Sequence, residues 1–170
     1  GVEAGVEGGH DKGAGVVGRH GRRHAGADML DLNFGAGDDR DSGREIESSL
    51  PPDVRAVNLI GRTDLRLLAG VISRCAAFVS NDSGAMHLAA ALGVPVVAIF
   101  GPTDERVTSP LASGKVVSQV VVPDVLTHSV FCRPCMLRDC PIDHRCMTGI
   151  PVDTVVGAVS RRLAPAIQGR

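Results

Sequence analysis

The stretch from Asn81 to Thr103, NDSGAMHLAAALGVPVVAIFGPT, restricts the fold of this chain more than any other. It joins a small polar loop, a short helix and a β-branched run. The apolar residues Ala76 to Val79 lead into Ser80 and Asn81, Asp82 or Ser83 can cap a first helical turn, and Met86, Leu88, Ala89 and Leu92 give that helix an apolar face. Gly93 tolerates the left-handed conformation that ends a helix, and Pro95 cannot continue one. Val94 to Phe100 then suits a strand buried on both faces. The predicted unit is strand, helix, strand, and its second strand runs into Gly101, Pro102, Thr103 and Asp104. Both polar loops are therefore expected on the carboxyl edge of a parallel sheet, where α/β folds hold their ligands.

The residue types at that junction restrict the ligand. The amides of Ser83, Gly84 and Ala85 at a helix start carry partial positive charge, and Gly84 lets a ligand approach the backbone, so a phosphate is the natural guest. Asp82 repels a phosphate but accepts hydrogen bonds from sugar hydroxyls, which suggests a ligand with both parts. His87, one turn further on, can offer an imidazole N–H to a phosphate oxygen. Two plainer roles remain open: Asp82 as a helix cap only, and His87 as a satisfied buried histidine.

The rest of the chain reads as alternating strands and helices. Met29 to Phe34 can form a strand, Gly35 to Asp39 a Gly-rich loop in which Gly35, Ala36 and Gly37 either approach a nucleotide or make a plain turn, and Asp41 to Leu50 a helix ended by Pro51 and Pro52. Val54 to Ile60 reads as a strand, and Thr63 can cap a helix to Arg74 whose broad apolar face carries Leu65, Leu67, Leu68, Val71, Ile72 and Cys75. Cys75 reads as a core residue. Val116 to Val122 reads as a further strand and Val152 to Leu163 as a closing helix. The expected fold is α/β, a doubly wound Rossmann-like parallel sheet occupying residues 28–170. Residues 1–27 differ in kind: Gly, Ala, His and Arg dominate and no apolar period survives, so this segment is expected not to pack, as a linker or a misread segment.

At 170 residues, 44% apolar, 22% charged and net −1, the chain suits one soluble domain with no basic patch for nucleic acid. Four Phe and no Trp or Tyr leave no aromatic platform for a base. No apolar run reaches about 18 residues and no basic-then-apolar leader is present, so a cytoplasmic address is expected. Cys132, Cys135, Cys140 and Cys146 cluster around His144. Thiolates and imidazole suit zinc, but the spacings do not make the paired knuckles of a zinc ribbon. Structural zinc, a labile disulfide and a reduced turn packed over the sheet remain as readings, none of them catalytic.

The Asn81 to Thr103 stretch closely resembles the donor-site signature of the lipopolysaccharide heptosyltransferases of glycosyltransferase family 9. The segment from Phe131 to Val155, FCRPCMLRDCPIDHRCMTGIPVDTV, looks like the C-terminal segment of the heptosyltransferase II branch, and Asn58 to Ser80 fits the family's strand-to-helix pattern. The resemblance runs from about Met29 to the C-terminus. It implies the C-terminal, donor-binding half of a two-domain GT-B glycosyltransferase that moves heptose from ADP-L-glycero-D-manno-heptose to the lipopolysaccharide inner core. The reaction would invert the anomeric centre and need no metal or other cofactor. Asp82, Ser83, Gly84, Ala85, His87 and Thr103 would hold the donor. The catalytic base and the acceptor site would lie on an N-terminal domain not recognisable here, with peripheral contact at the cytoplasmic face of the inner membrane. A non-catalytic nucleotide-binding module and a zinc-stabilised interaction domain are the alternatives.

Overall fold

The computed structural model describes residues 15–19, 30–34, 40–52, 55–111, 122–137 and 139–168. Its order of elements is β1 (Gly15–Arg19), β2 (Leu30–Phe34), α1 (Arg40–Ser49), β3 (Arg55–Asn58), α2 (Leu65–Ile72), β4 (Ala77–Asn81), α3 (Gly84–Ala91), β5 (Val96–Phe100), α4 (Glu105–Thr108), β6 (Asp124–Thr127), α5 (Arg145–Thr148) and α6 (Val152–Gln168). The strands form one sheet in the order β3-β2-β1-β4-β5-β6. Neighbours β2 and β3 pair parallel, as do β4, β5 and β6, whereas β1 runs antiparallel to both β2 and β4.

Two strands depart from the sequence reading. Within the segment expected not to pack, Gly15–Arg19 forms a strand at the centre of the sheet. Its pairing with β2 and β4 places it there, even without a longer apolar period. The sheet is consequently mixed instead of wholly parallel, because residues 20–29 are too few for the helical crossover that a parallel β1–β2 pairing would need. The second is β6, which pairs with β5 from Asp124 to Thr127. The strand expected at Val116 to Val122 lies outside the described residues except for Val122, which precedes β6.

The core forms where β4 and β5 are covered. Phe78, Val96, Val97, Ala98 and Phe100 are fully or almost fully buried, and the consecutive buried positions show that both faces of these strands are sealed. Helices α3 and α6 both pack on β4 and β5, α3 through Met86, Ala89 and Ala90 and α6 with Ala158 buried. Each large apolar side chain buried in this way contributes about 1.5–3 kcal/mol. Gly93, at φ 75°, takes the left-handed turn expected of it between α3 and β5.

Helix α2 is narrower in its packing than its sequence suggests. Asp64, not Thr63, is its cap: the carboxylate accepts the Leu67 amide at 2.8 Å. Ile72 and Cys75 are buried and Leu68 and Val71 pack against the core, while Leu65 and Leu67 are exposed. The expected broad face contracts because the residues at positions 68, 71, 72 and 75 alone share the stripe that meets the sheet. Leu92, beyond the end of α3, is also largely outside the core.

Candidate functional site

The register Asn81↔Ile99 and the pairing Phe100↔Thr127 bring the ends of β4, β5 and β6 to one sheet edge. The loops that follow them therefore open together, as the parallel pairing predicts. Asp82 and Ser83 follow β4, Gly101 to Asp104 follow β5, and His128 follows β6.

Ser83 is the cap of α3. Its backbone is extended (φ −154°, ψ 163°), and its Oγ accepts the Met86 amide at 3.4 Å. The buried Ser80 hydroxyl donates to the Asn81 carbonyl at 2.9 Å, and the two serine oxygens stand 2.9 Å apart. With Ser80's single proton committed to Asn81, Ser83 is the donor in the pair. The cap thus serves Met86, while Gly84 and Ala85, at the first two helical positions, have no intrahelical carbonyl to bond. A Cβ placed on Gly84 would meet no described residue within 4 Å. Packing among the described residues does not require glycine there, and they leave the space above the backbone open.

Asp82 is not the cap. Thr108 of α4 donates its hydroxyl proton to Asp82 Oδ2 at 2.7 Å, with the Asp104 carbonyl at 3.1 Å from the same hydroxyl. One carboxylate oxygen is thereby oriented from a helix 26 positions away. His87 is exposed on α3, so the alternative of a satisfied buried histidine is corrected. Its place near the helix start, facing solvent, leaves the imidazole accessible. The Thr103 Oγ1 is buried and has no hydrogen-bond partner among the described residues. The Gly35 to Gly37 turn lies outside the described residues.

Several residues that shape the edge carry no local sequence signal. Asp104 caps α4 by accepting the Arg106 amide at 3.0 Å and pairs with the Arg106 side chain at 2.7 Å. That side-chain bond holds the Asp104 carboxyl below its ordinary range. Glu105 is also held low, first by its own backbone N–H and then by Arg133 against the cost of desolvation. Arg133 comes from the Cys-rich segment and reaches the loop after β5.

That segment packs over the same edge. Met147 of α5 lies against Gly101, where an added Cβ would stand 2.5 Å from its sulfur. A side chain at position 101 would have to displace Met147. Among the described residues, no three His, Cys, Asp or Glu side chains gather as a bound metal would need. The Cys140 sulfur accepts the His144 amide at 3.4 Å, and bonds from the Ile142 amide first and His144 next lower its thiol below the ordinary range. Cys146 is buried, and burial followed by the neighbouring cysteines pushes its thiol up. Cys75 is buried in the core, as expected of it.

Loops gathered on one edge around an open helix start define a Rossmann-like α/β domain, of the kind that takes an anionic ligand beside its strand ends. The chain belongs to glycosyltransferase family 9 (heptosyltransferase), whose family model matches residues 32–128. It is 36% identical over 128 residues to lipooligosaccharide heptosyltransferase 2 of Campylobacter jejuni serotype O:2, an alignment covering 74% of this chain and 38% of that protein. It is 43% identical over 81 residues to lipopolysaccharide heptosyltransferase 2 of Escherichia coli K12, covering 46% of this chain and 23% of the relative. The structure of E. coli ADP-heptose lps heptosyltransferase II matches with a TM-score of 0.61 at 28% identity, over 79% of this chain and 36% of that one. The family 9 glycosyl transferase from Veillonella parvula, at 23% identity and a TM-score of 0.62, shares the fold. These matches place the chain in glycosyltransferase family 9, similar to heptosyltransferases of type II, and it spans well under half the length of those relatives.

Proposed function

We propose that this chain is the donor-binding half of an enzyme that transfers heptose from ADP-L-glycero-D-manno-heptose to the inner core of lipopolysaccharide. The observation that carries the reading is the start of α3, where uncapped amides and an uncovered Gly84 stand beside an oriented carboxylate. The amides of Ser83, Gly84 and Ala85 and the His87 imidazole take the diphosphate. Asp82 takes sugar hydroxyls with the carboxylate oxygen that Thr108 leaves available. The Thr103 hydroxyl, without a partner among the described residues, is a donor that a diphosphate oxygen or a bridging water can satisfy.

In the transfer, an acceptor hydroxyl oxygen attacks the anomeric carbon from the face opposite the diphosphate. The new glycosidic bond forms as the bond to the diphosphate oxygen breaks, inverting the centre and releasing ADP. Negative charge grows on the leaving diphosphate, and fixed helix-start dipoles stabilise it without a bound metal. The acceptor's proton passes to a carboxylate on the N-terminal half of the protein, which also carries the acceptor site. The reaction belongs at the cytoplasmic face of the inner membrane. Contact with that membrane is peripheral in this reading, and no helix among the described residues is long and apolar enough to cross a membrane.

The test is calorimetric titration of the chain with ADP-heptose, ADP and UDP, on wild type and His87→Ala. Selective binding of the adenine nucleotides, weakened in the variant, is the expected result. A folded wild-type chain that binds UDP as well as ADP, or binds neither, overturns the reading.

A further inference from the structure

We infer that Arg133 is a positioning residue for the sugar end of the donor site, acting through the β5–α4 loop and Thr108 on Asp82. The inference rests on the donor-site reading above. It begins from where Arg133 spends its hydrogen bonds. The side chain is 10% exposed, and its guanidinium donates through Nε to the Gly101 carbonyl and through Nη2 to the Thr103 carbonyl at 3.2 Å and to Glu105 Oε2 at 2.7 Å. The Met136 amide adds a bond to the Pro102 carbonyl at 3.1 Å. One short piece of the Cys-rich segment therefore holds three successive residues of the loop by their carbonyls and the next helix by its first carboxylate.

What that loop carries is α4, and α4 carries Thr108. The Thr108 hydroxyl bonds Asp82 at 2.7 Å, so the position of α4 sets which carboxylate oxygen of Asp82 is engaged and which is left for the ligand. The path is short and made of charge-assisted bonds: Arg133 to Glu105 and the loop carbonyls, then α4, then Thr108 to Asp82. Its first member is poorly suited to touching ligand itself, because the guanidinium is nearly buried and already bonded to a carboxylate and two carbonyls. Arginine also suits the task better than lysine. A planar fork can donate in fixed directions to several acceptors at once, whereas a lysine ammonium on a flexible stem cannot reproduce that geometry.

A positioning role through Asp82 makes a demand that general loosening does not. Asp82 is assigned to the sugar and the helix-start amides to the diphosphate, so loss of Arg133 should act on the preference for ADP-heptose over ADP, and far less on ADP itself. The experiment measures both affinities by calorimetry for wild type, Arg133→Lys, Thr108→Val and Glu105→Gln, with circular dichroism and thermal melting on each. The expected result is that Arg133→Lys and Thr108→Val each reduce the ADP-heptose preference roughly tenfold, the scale of a lost charge-assisted bond. Adding Arg133→Lys to Asp82→Asn should then cause no further reduction. Should Arg133→Lys fail to fold, Glu105→Gln, which removes one anchor and leaves the arginine, is expected to reduce the preference in the same direction. An unchanged preference in folded Arg133→Lys, or equal losses for both ligands, overturns the inference while the donor-site reading stands. A folded wild type with no preference for ADP-heptose removes both.

Discussion

Gly84 and Gly101 stand at the ends of neighbouring loops and are glycines for opposite reasons. Nothing among the described residues approaches Gly84, while Met147 presses on Gly101. Gly84→Ala is therefore expected to leave the melting temperature unchanged or slightly raised, and to weaken ADP binding in titration. Gly101→Ala should destabilise the fold by about 1–3 kcal/mol, measured by denaturant unfolding, because a methylene is forced into filled space. The cysteines separate in a similar way. Backbone amides favour the thiolate of the partly exposed Cys140, and burial disfavours it at Cys146. As pH rises in an alkylation series followed by mass spectrometry, Cys140 should label before Cys146. Neither contrast was legible in the sequence: one glycine or cysteine looks like another until the neighbours from distant segments are in place.

Among the elements, the unit β4-α3-β5 was the most legible, because its cap, its apolar stripe, its glycine stop and its β-branched run all agree. The cap itself went to Ser83, leaving Asp82 for a partner on α4 that no local pattern announces. Helix α4 has only four residues, too few to show a period, and depends on its ends: Asp104 as its cap and Arg133 on Glu105. The Glu105 carboxyl titrates below its ordinary value in the folded chain. A carboxylate depressed in this way contributes stability above its unfolded pKa, and that contribution fades as pH falls through the folded value. Thermal melts of wild type should accordingly drop more steeply between neutral pH and the acid side of the ordinary Glu range than melts of Glu105→Gln.

At the scale of the whole molecule, stability concentrates where β4 and β5 are sealed from both sides. Phe78 and Phe100 have no exposed surface, and Phe100→Ala is expected to cost about 3–5 kcal/mol in equilibrium unfolding. The sequence displayed this core as continuous apolar runs, and it displayed the α/β class through their alternation with helical stripes. It did not display β1. Five residues bounded by glycine and arginine carry too little pattern to be read alone, and their place is set by the strands on either side. The candidate site was legible where it consists of consecutive residues and hidden where it depends on Thr108, Glu105 and Arg133, which reach it from other elements.

The proton count around Ser80 and Ser83 carries a consequence for how such a site can be found. Ser83's hydroxyl hydrogen is turned toward Ser80 and its lone pair toward Met86, so the groups left facing outward at the head of α3 are main-chain amides. Main-chain groups have no codon. A survey that replaces one side chain after another would pass over Gly84 and Ala85 with little response unless the replacement fills the space above them. Substituting an ester for the amide at either position, by chemical ligation, would remove the donor and keep the shape, and so make this part of the protein answer to experiment.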